Sequence, residues 1–139
     1  MGVVHAVVTE QALHPQRLLD TVADPAHGAE VLFVGTIRDH DDGRSVLALE
    51  YEIHPSAAAV LGDLAAAVAA EHPEVTIAVA HRFGPVAIGE PAFVVATASA
   101  HRGPAFAAAN RLVETVKSQL PIWKRQTFAD GSQAWVNSA

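Results

Sequence analysis

The chain has 139 residues and a net charge of −6, with half its residues hydrophobic and no cysteine. That length suits one domain, residues 1–139; the acidity argues against a general nucleic-acid binder, and the missing cysteines exclude disulfides, thiolate nucleophiles and cysteine-based metal sites. No apolar run reaches the roughly 18 residues of a membrane span, and Met1 to Glu10 holds no Lys or Arg ahead of its apolar residues, so a cytoplasmic chain without a secretory signal is expected.

In chain order, Val3 to Val8 is a short β-prone run, and Pro15 to Val22 is a brief helix with Leu18, Leu19 and Val22 at helical spacing. Glu30 to Ile37 reads as a strand apolar enough to be buried on both faces. Arg38 to Arg44 is charged and contains Gly43, so a loop is expected. Ser45 to Ile53 alternates. Val46, Ala48, Glu50 and Glu52 share one face, and Leu47, Leu49, Tyr51 and Ile53 the other; if the loop is a hairpin, this strand runs antiparallel to its predecessor. Pro55 to Glu71 is an alanine-rich helix, with Pro55 near its first turn and Pro73 past its end. Val75 to Phe83 is a strand, followed by turns at Gly84-Pro85 and Gly89-Glu90-Pro91 and a third apolar strand, Ala92 to Ser99. Pro104 to Leu120 is the second long helix, with Phe106, Ala109, Val113, Val116 and Leu120 on one stripe, and Pro121 ends it. Ile122 to Phe128 and Gln133 to Val136 form a terminal hairpin around Asp130-Gly131. This order predicts an α+β fold with a mixed or antiparallel sheet. Neither G-x-G-x-x-G nor a P-loop is present.

Charge is unevenly spread. From His101 to Arg125 lie five of the nine Lys and Arg residues against one acid, Glu114, and the chain's two lysines, Lys117 and Lys124, both fall there. A basic segment in an acidic chain suggests an anionic ligand, although a solvated helix face has the same composition. His101-Arg102, just ahead of Pro104, suits an anion at a helix N-terminus; a histidine capping the sheet beside a solvated arginine fits equally. Lys117 and Lys124 lie beside apolar segments, where a lysine pKa falls and proton transfer or nucleophilic attack becomes available. A lysine near a helix C-terminus also simply complements the dipole. Arg38 opens a polar loop that either closes over a ligand or is a plain hairpin. Eight histidines form no tight ligand pair, so no metal is expected; His40 lies beside Asp41 and Asp42. Glu50 and Glu52 share a strand face and suit either an acid/base pair or a solvated surface.

Three blocks of segments stand in order along the chain: Phe33-Val34-Gly35-Thr36-Ile37-Arg38, Gly43-Arg44 and Leu49-Glu50-Tyr51-Glu52; then His81-Arg82-Phe83-Gly84 and Ile88-Gly89-Glu90; then Ser99-Ala100-His101-Arg102, Ala105-Phe106, Lys117, Pro121-Ile122-Trp123-Lys124, Asp130-Gly131 and Trp135. Together these segments resemble the molybdopterin synthase catalytic (large) subunit family. The ordered set covers nearly the whole chain. The resemblance implies an α/β hammerhead-type fold and a homodimer, within a heterotetramer completed by a small ubiquitin-like sulfur carrier ending in Gly-Gly. The carrier's C-terminal thiocarboxylate would give two sulfurs to cyclic pyranopterin monophosphate, forming the dithiolene; no cofactor is implied. On this resemblance Lys117 is the principal catalytic residue, Lys124 acts beside it, and Arg38, His101 and Arg102 bind the anionic substrate. The family often has Glu where this chain has Gln126. The rival expectation is a non-enzymatic dimeric anion-binding or regulatory module using the same basic segment.

Overall fold

The computed structural model describes residues 1–137. Along the chain run β1 (Gly2–Thr9), α1 (Pro15–Val22), β2 (Ala29–Thr36), β3 (His40–Asp41), β4 (Arg44–Ile53) and α2 (Ala57–Glu71). They are followed by β5 (Thr76–Arg82), β6 (Gly84–Val86), β7 (Pro91–Ser99), α3 (Arg102–Gln119), β8 (Ile122–Phe128) and β9 (Gln133–Val136). One sheet has the order β1-β5-β7-β2, with β1 parallel to β5 and the other pairings antiparallel. The other runs β3-β4-β8-β9, with β6 also paired to β4.

The central strands explain the core. β5 and β7 have neighbours on both edges and helices on both faces, so they are buried almost throughout. α2 and α3 cover one face, packing Leu61, Leu112 and Val116 with Ile77, Val79 and Val95. α1 covers the other, laying Leu18 and Val22 on Ala78, Ala80, Val94 and Ala96. Small side chains on that face let a short helix approach closely.

The α+β class and the element boundaries agree with the sequence reading to within two residues. Five details differ. The strand expected to be buried on both faces, β2, is a sheet edge with Glu30, Leu32 and Thr36 exposed. β4 pairs not with β2 but with β3, β6 and β8 in the other sheet. A register shift between Val46 and Ala48 turns Leu47 outward, 63% exposed, and buries Val46, reversing the alternation there. Phe106, assigned to the apolar stripe of α3, is 59% exposed. Gly84-Pro85 is not a bare turn but part of the edge strand β6.

The expected loop from Arg38 to Arg44 is largely a hairpin. His40 faces Ser45 and Asp41 faces Arg44 across the two-residue turn Asp42-Gly43, where both φ angles are positive (50° and 75°). That is the turn whose twist matches paired strands, and glycine adopts its second position without strain. Gly43→Val should therefore cost about 1–2 kcal/mol, seen as a lower denaturant midpoint at unchanged slope. An unaltered midpoint would mean the turn does not need a left-handed residue.

Candidate active site

Antiparallel pairing sets Tyr51 opposite Lys124 and Leu49 opposite Gln126. Because side chains alternate along a strand, these four share one face of the second sheet. That face meets the β2 end of the first sheet and the last turn of α3, enclosing a cavity of about 260 Å³. Gly35 to Arg38 enter from β2 and the residues after it, Phe93 from β7, His40 from β3 and Lys117 from α3. The chain end carrying Arg38 is fixed by backbone bonds: Ile37 N–H donates to the Glu90 carbonyl (3.2 Å), and Gly89 N–H donates to that of Ile37 (2.8 Å). Glu90 anchors this turn by accepting from Ala87 N–H (3.1 Å) and from Arg82 (3.5 Å).

Arg38, Lys117 and Lys124 line the cavity, and among the described residues its lining contains no carboxylate. Asp41 pairs with Arg38 at 3.4 Å, and His40 bonds Asp39 at 2.8 Å. Burial depresses the pKa of half-buried Lys124 below its ordinary 10.5; Lys117 and Arg38 push the same way, and Asp41 opposes them. The depressed lysine expected from the sequence is thus found at Lys124. Burial also pushes the Tyr51 phenol up to about 12, so it stays an O–H donor. Gln126 is a buried amide able to donate and accept. Together these groups make a seat for a small anion, with one lysine suited to exchanging a proton.

Behind the lining lies His81, fully buried. Its Nδ1 is 2.8 Å from the Arg82 carbonyl, and its ring stacks on Phe93 (centroids 5.2 Å) and meets Tyr51 edge-on (5.1 Å). Burial lowers its pKa to about 4; the Arg82 carbonyl opposes that, and the charge of Lys117 adds to it.

Of the five residues singled out from sequence, three converge here and two do not. His101 occupies the position before α3 without a side-chain cap bond, and Arg102 is the first residue of the helix, both exposed. Fifteen residues separate Arg102 from Lys117, about 22 Å along the helix. Tyr51, Gln126 and His40 were not singled out as site residues. The spacing of Lys124 and Gln126 by two was the available signal, since it puts both on one strand face. Glu50, offered as half of an acid/base pair, instead accepts from Arg125 at 2.8 Å.

The family pattern described as MoaE protein matches residues 8–119. A molybdopterin synthase catalytic subunit from Aspergillus clavatus is 40% identical over 133 residues, covering 95% of this chain and 67% of the relative. A molybdopterin synthase crystal structure from Staphylococcus aureus superposes with a TM-score of 0.88 at 26% identity, covering 94% of this chain and 96% of that one. A protein–protein complex of subunits 1 and 2 of molybdopterin-converting factor from Helicobacter pylori shares the fold, with a TM-score of 0.73 at 22% identity and coverage of 93% and 88%.

Two pH effects follow. The Lys124 ammonium would give an anion in this cavity one charged contact, so affinity for inorganic phosphate should fall, by at least ~10-fold for that lost contact, as pH rises through the depressed Lys124 pKa. Titration calorimetry should place that loss below the ordinary lysine range, and Lys124→Arg should remove it; identical alkaline profiles would refute the assignment. His81 is neutral in the fold to about pH 4, whereas the unfolded chain takes up its proton near the ordinary 6.5. Stability is therefore full above about 6.5 and falls as pH drops toward about 4, by up to about 3 kcal/mol. His81→Phe should flatten that part of the urea-midpoint profile relative to the parent.

Proposed function

The chain belongs to the MoaE protein family, and on that footing we propose that it works as the catalytic subunit of a molybdopterin synthase, one domain over residues 1–139. The substrate is cyclic pyranopterin monophosphate, and the sulfur donor is the thiocarboxylated Gly-Gly end of a small ubiquitin-like carrier. In each transfer the carrier's sulfur bonds to a side-chain carbon of the pterin as that carbon loses a bond to oxygen, and water cleaves the acyl–sulfur bond, leaving the carrier with a carboxylate. Two transfers form the dithiolene, and the cyclic phosphate opens to a monoester. The observation that carries this reading is the convergence of Arg38, Lys117 and Lys124 on one cavity. Carboxylate release and phosphate opening both develop negative charge, and fixed cations stabilise it. The absence of cysteine agrees with sulfur arriving on a partner.

Lys117 is the principal catalytic residue, Lys124 moves protons beside it, and Arg38 holds the anion. His101 and Arg102 bind the same substrate from a second copy of the chain, because about 22 Å separates Arg102 from Lys117 within one copy. Phe106 supports this: it is exposed on the same helix face one turn from Arg102, where a subunit contact would cover it. The assembly is a homodimer with one carrier per subunit, a heterotetramer; the Helicobacter pylori complex of two subunits supports the hetero-association. Among the described residues no helix is long and apolar enough to cross a membrane. The rival reading, a non-enzymatic anion-binding module, does not suit a chain whose relatives are catalytic subunits.

Lys117→Arg keeps the charge and the helix propensity but not the compact, deprotonatable amine. It should fold and dimerise normally yet lose at least ~10²-fold in dithiolene formation from thiocarboxylated carrier. Mixing Lys117→Ala and Arg102→Ala subunits tests the shared site. Each hybrid dimer regains one intact site, so random mixing should restore about a quarter of parental turnover if subunits pair statistically. No recovery on mixing would confine His101 and Arg102 to their own chain and remove them from the site.

A further inference from the structure

His81 stands where the sheet needs an apolar residue. It follows Ile77 and Val79 on the face of β5 covered by α2 and α3, and it is 0% exposed. The tautomer follows from its partner: a carbonyl only accepts, so the Nδ1 atom 2.8 Å from the Arg82 carbonyl carries the proton. Nε2 is then a bare lone pair, and it is buried without a hydrogen-bond partner among the described residues. An unpaired buried acceptor is unfavourable, and phenylalanine would fill the same space without it. The ring is also fixed in direction, stacked on Phe93 and edge-on to Tyr51, both of which line the cationic cavity. Lys117 also lines that cavity, and its charge acts on the imidazole.

We propose that His81 is a positioning residue for Lys117: in the substrate-loaded enzyme its Nε2 accepts a hydrogen bond from the Lys117 ammonium and fixes that group's direction. The chemistry of the seat explains the choice of acceptor. A carboxylate behind Lys117 would hold the ammonium equally well but would cancel the charge needed for an anionic substrate. A neutral imidazole supplies a lone pair and no charge. Its neutrality is secured by burial rather than by a partner, so the cavity keeps three cations and gains no fourth.

The inference rests on the sulfur-transfer reading, and its test separates the two. Dithiolene formation is followed with thiocarboxylated carrier and cyclic pyranopterin monophosphate for the parent, His81→Phe, His81→Gln, Lys117→Ala and the His81→Phe/Lys117→Ala double variant, with thermal melts of each. A parent that makes no dithiolene overturns the sulfur-transfer reading itself. With an active parent, His81→Phe should lose about 10-fold in kcat, the worth of one hydrogen bond to a charged group, with KM held and the melting temperature held or raised. His81→Gln, which offers a carbonyl acceptor, should recover most of it. In the Lys117→Ala background His81→Phe should do nothing further, because the two act as one unit. Parental kcat in His81→Phe, no rescue by Gln, or an undiminished loss in the Lys117→Ala background would each overturn the positioning role. Should His81→Phe fail to fold, the ¹⁵N signal of Nε2 in the parent decides: it should shift toward a hydrogen-bonded value when substrate is added, and an unmoved signal overturns the proposal.

Discussion

Everything at the cavity depends on the register between β4 and β8. Lys124 and Arg125 are neighbours in sequence, but pairing sends them to opposite faces: Lys124 lies opposite Tyr51 on the cavity side, and Arg125 lies opposite Glu50 on the other. Arg125 bonds Glu50 at 2.8 Å and lies over the Trp135 ring at 5.6 Å. A slip of one residue would exchange the two faces and fill the cavity with Trp123 and Arg125. The Glu50–Arg125 pair is half-exposed and contributes little stability, about 0–1 kcal/mol. Its importance is in register: it gives the outer face a charge complement that only one alignment satisfies, leaving the neighbouring lysine on the inner face.

Three cations around one small volume repel one another, and partial burial adds to the cost at Lys124. The fold accepts this by keeping a compensating acid beside the lining: Asp41, three residues along the same arm of the hairpin, pairs with Arg38 at 3.4 Å. The wall itself is made of uncharged groups, namely Tyr51, Gln126 and backbone, with His81 behind them. An amide at position 126 leaves the positive charge uncancelled, where a carboxylate two residues from Lys124 would offset it.

Local signals made much of this legible from sequence. Prolines and glycines bound nearly every element, and the 3.6-residue and two-residue periods separate helices from strands. Lys117 and Lys124 stood out because lysine is scarce in this chain, and Arg38 because it opens a polar loop. What the sequence withheld was non-local. A continuous apolar run identifies a strand but not its place in the sheet, so β2 read as central though it is an edge. The bulge at Leu47 reverses a face by inserting one residue, which no periodicity discloses. Tyr51 and Gln126 read as ordinary strand residues because nothing in the chain says which surface they face. His81 is visible as a residue type, yet its burial and its unpaired nitrogen exist only once β5 lies between β1 and β7.

That strand order also governs how the chain must fold. β1 hydrogen-bonds to β5 and β2 to β7, so the first two strands of this sheet wait for partners that end at Arg82 and Ser99. The edge of β4 not taken by β3 and β6 waits still longer, for β8 at Ile122–Phe128. A ribosome will therefore have made most of the chain before any of these edges can be satisfied. Such late, long-range closure slows folding, because the entropy of large loops must be lost before their contacts form. In the interval the nascent chain presents the unpaired strands Gly2–Thr9 and Ala29–Thr36 to its surroundings, and unpaired apolar edges are where chaperones bind and aggregation starts.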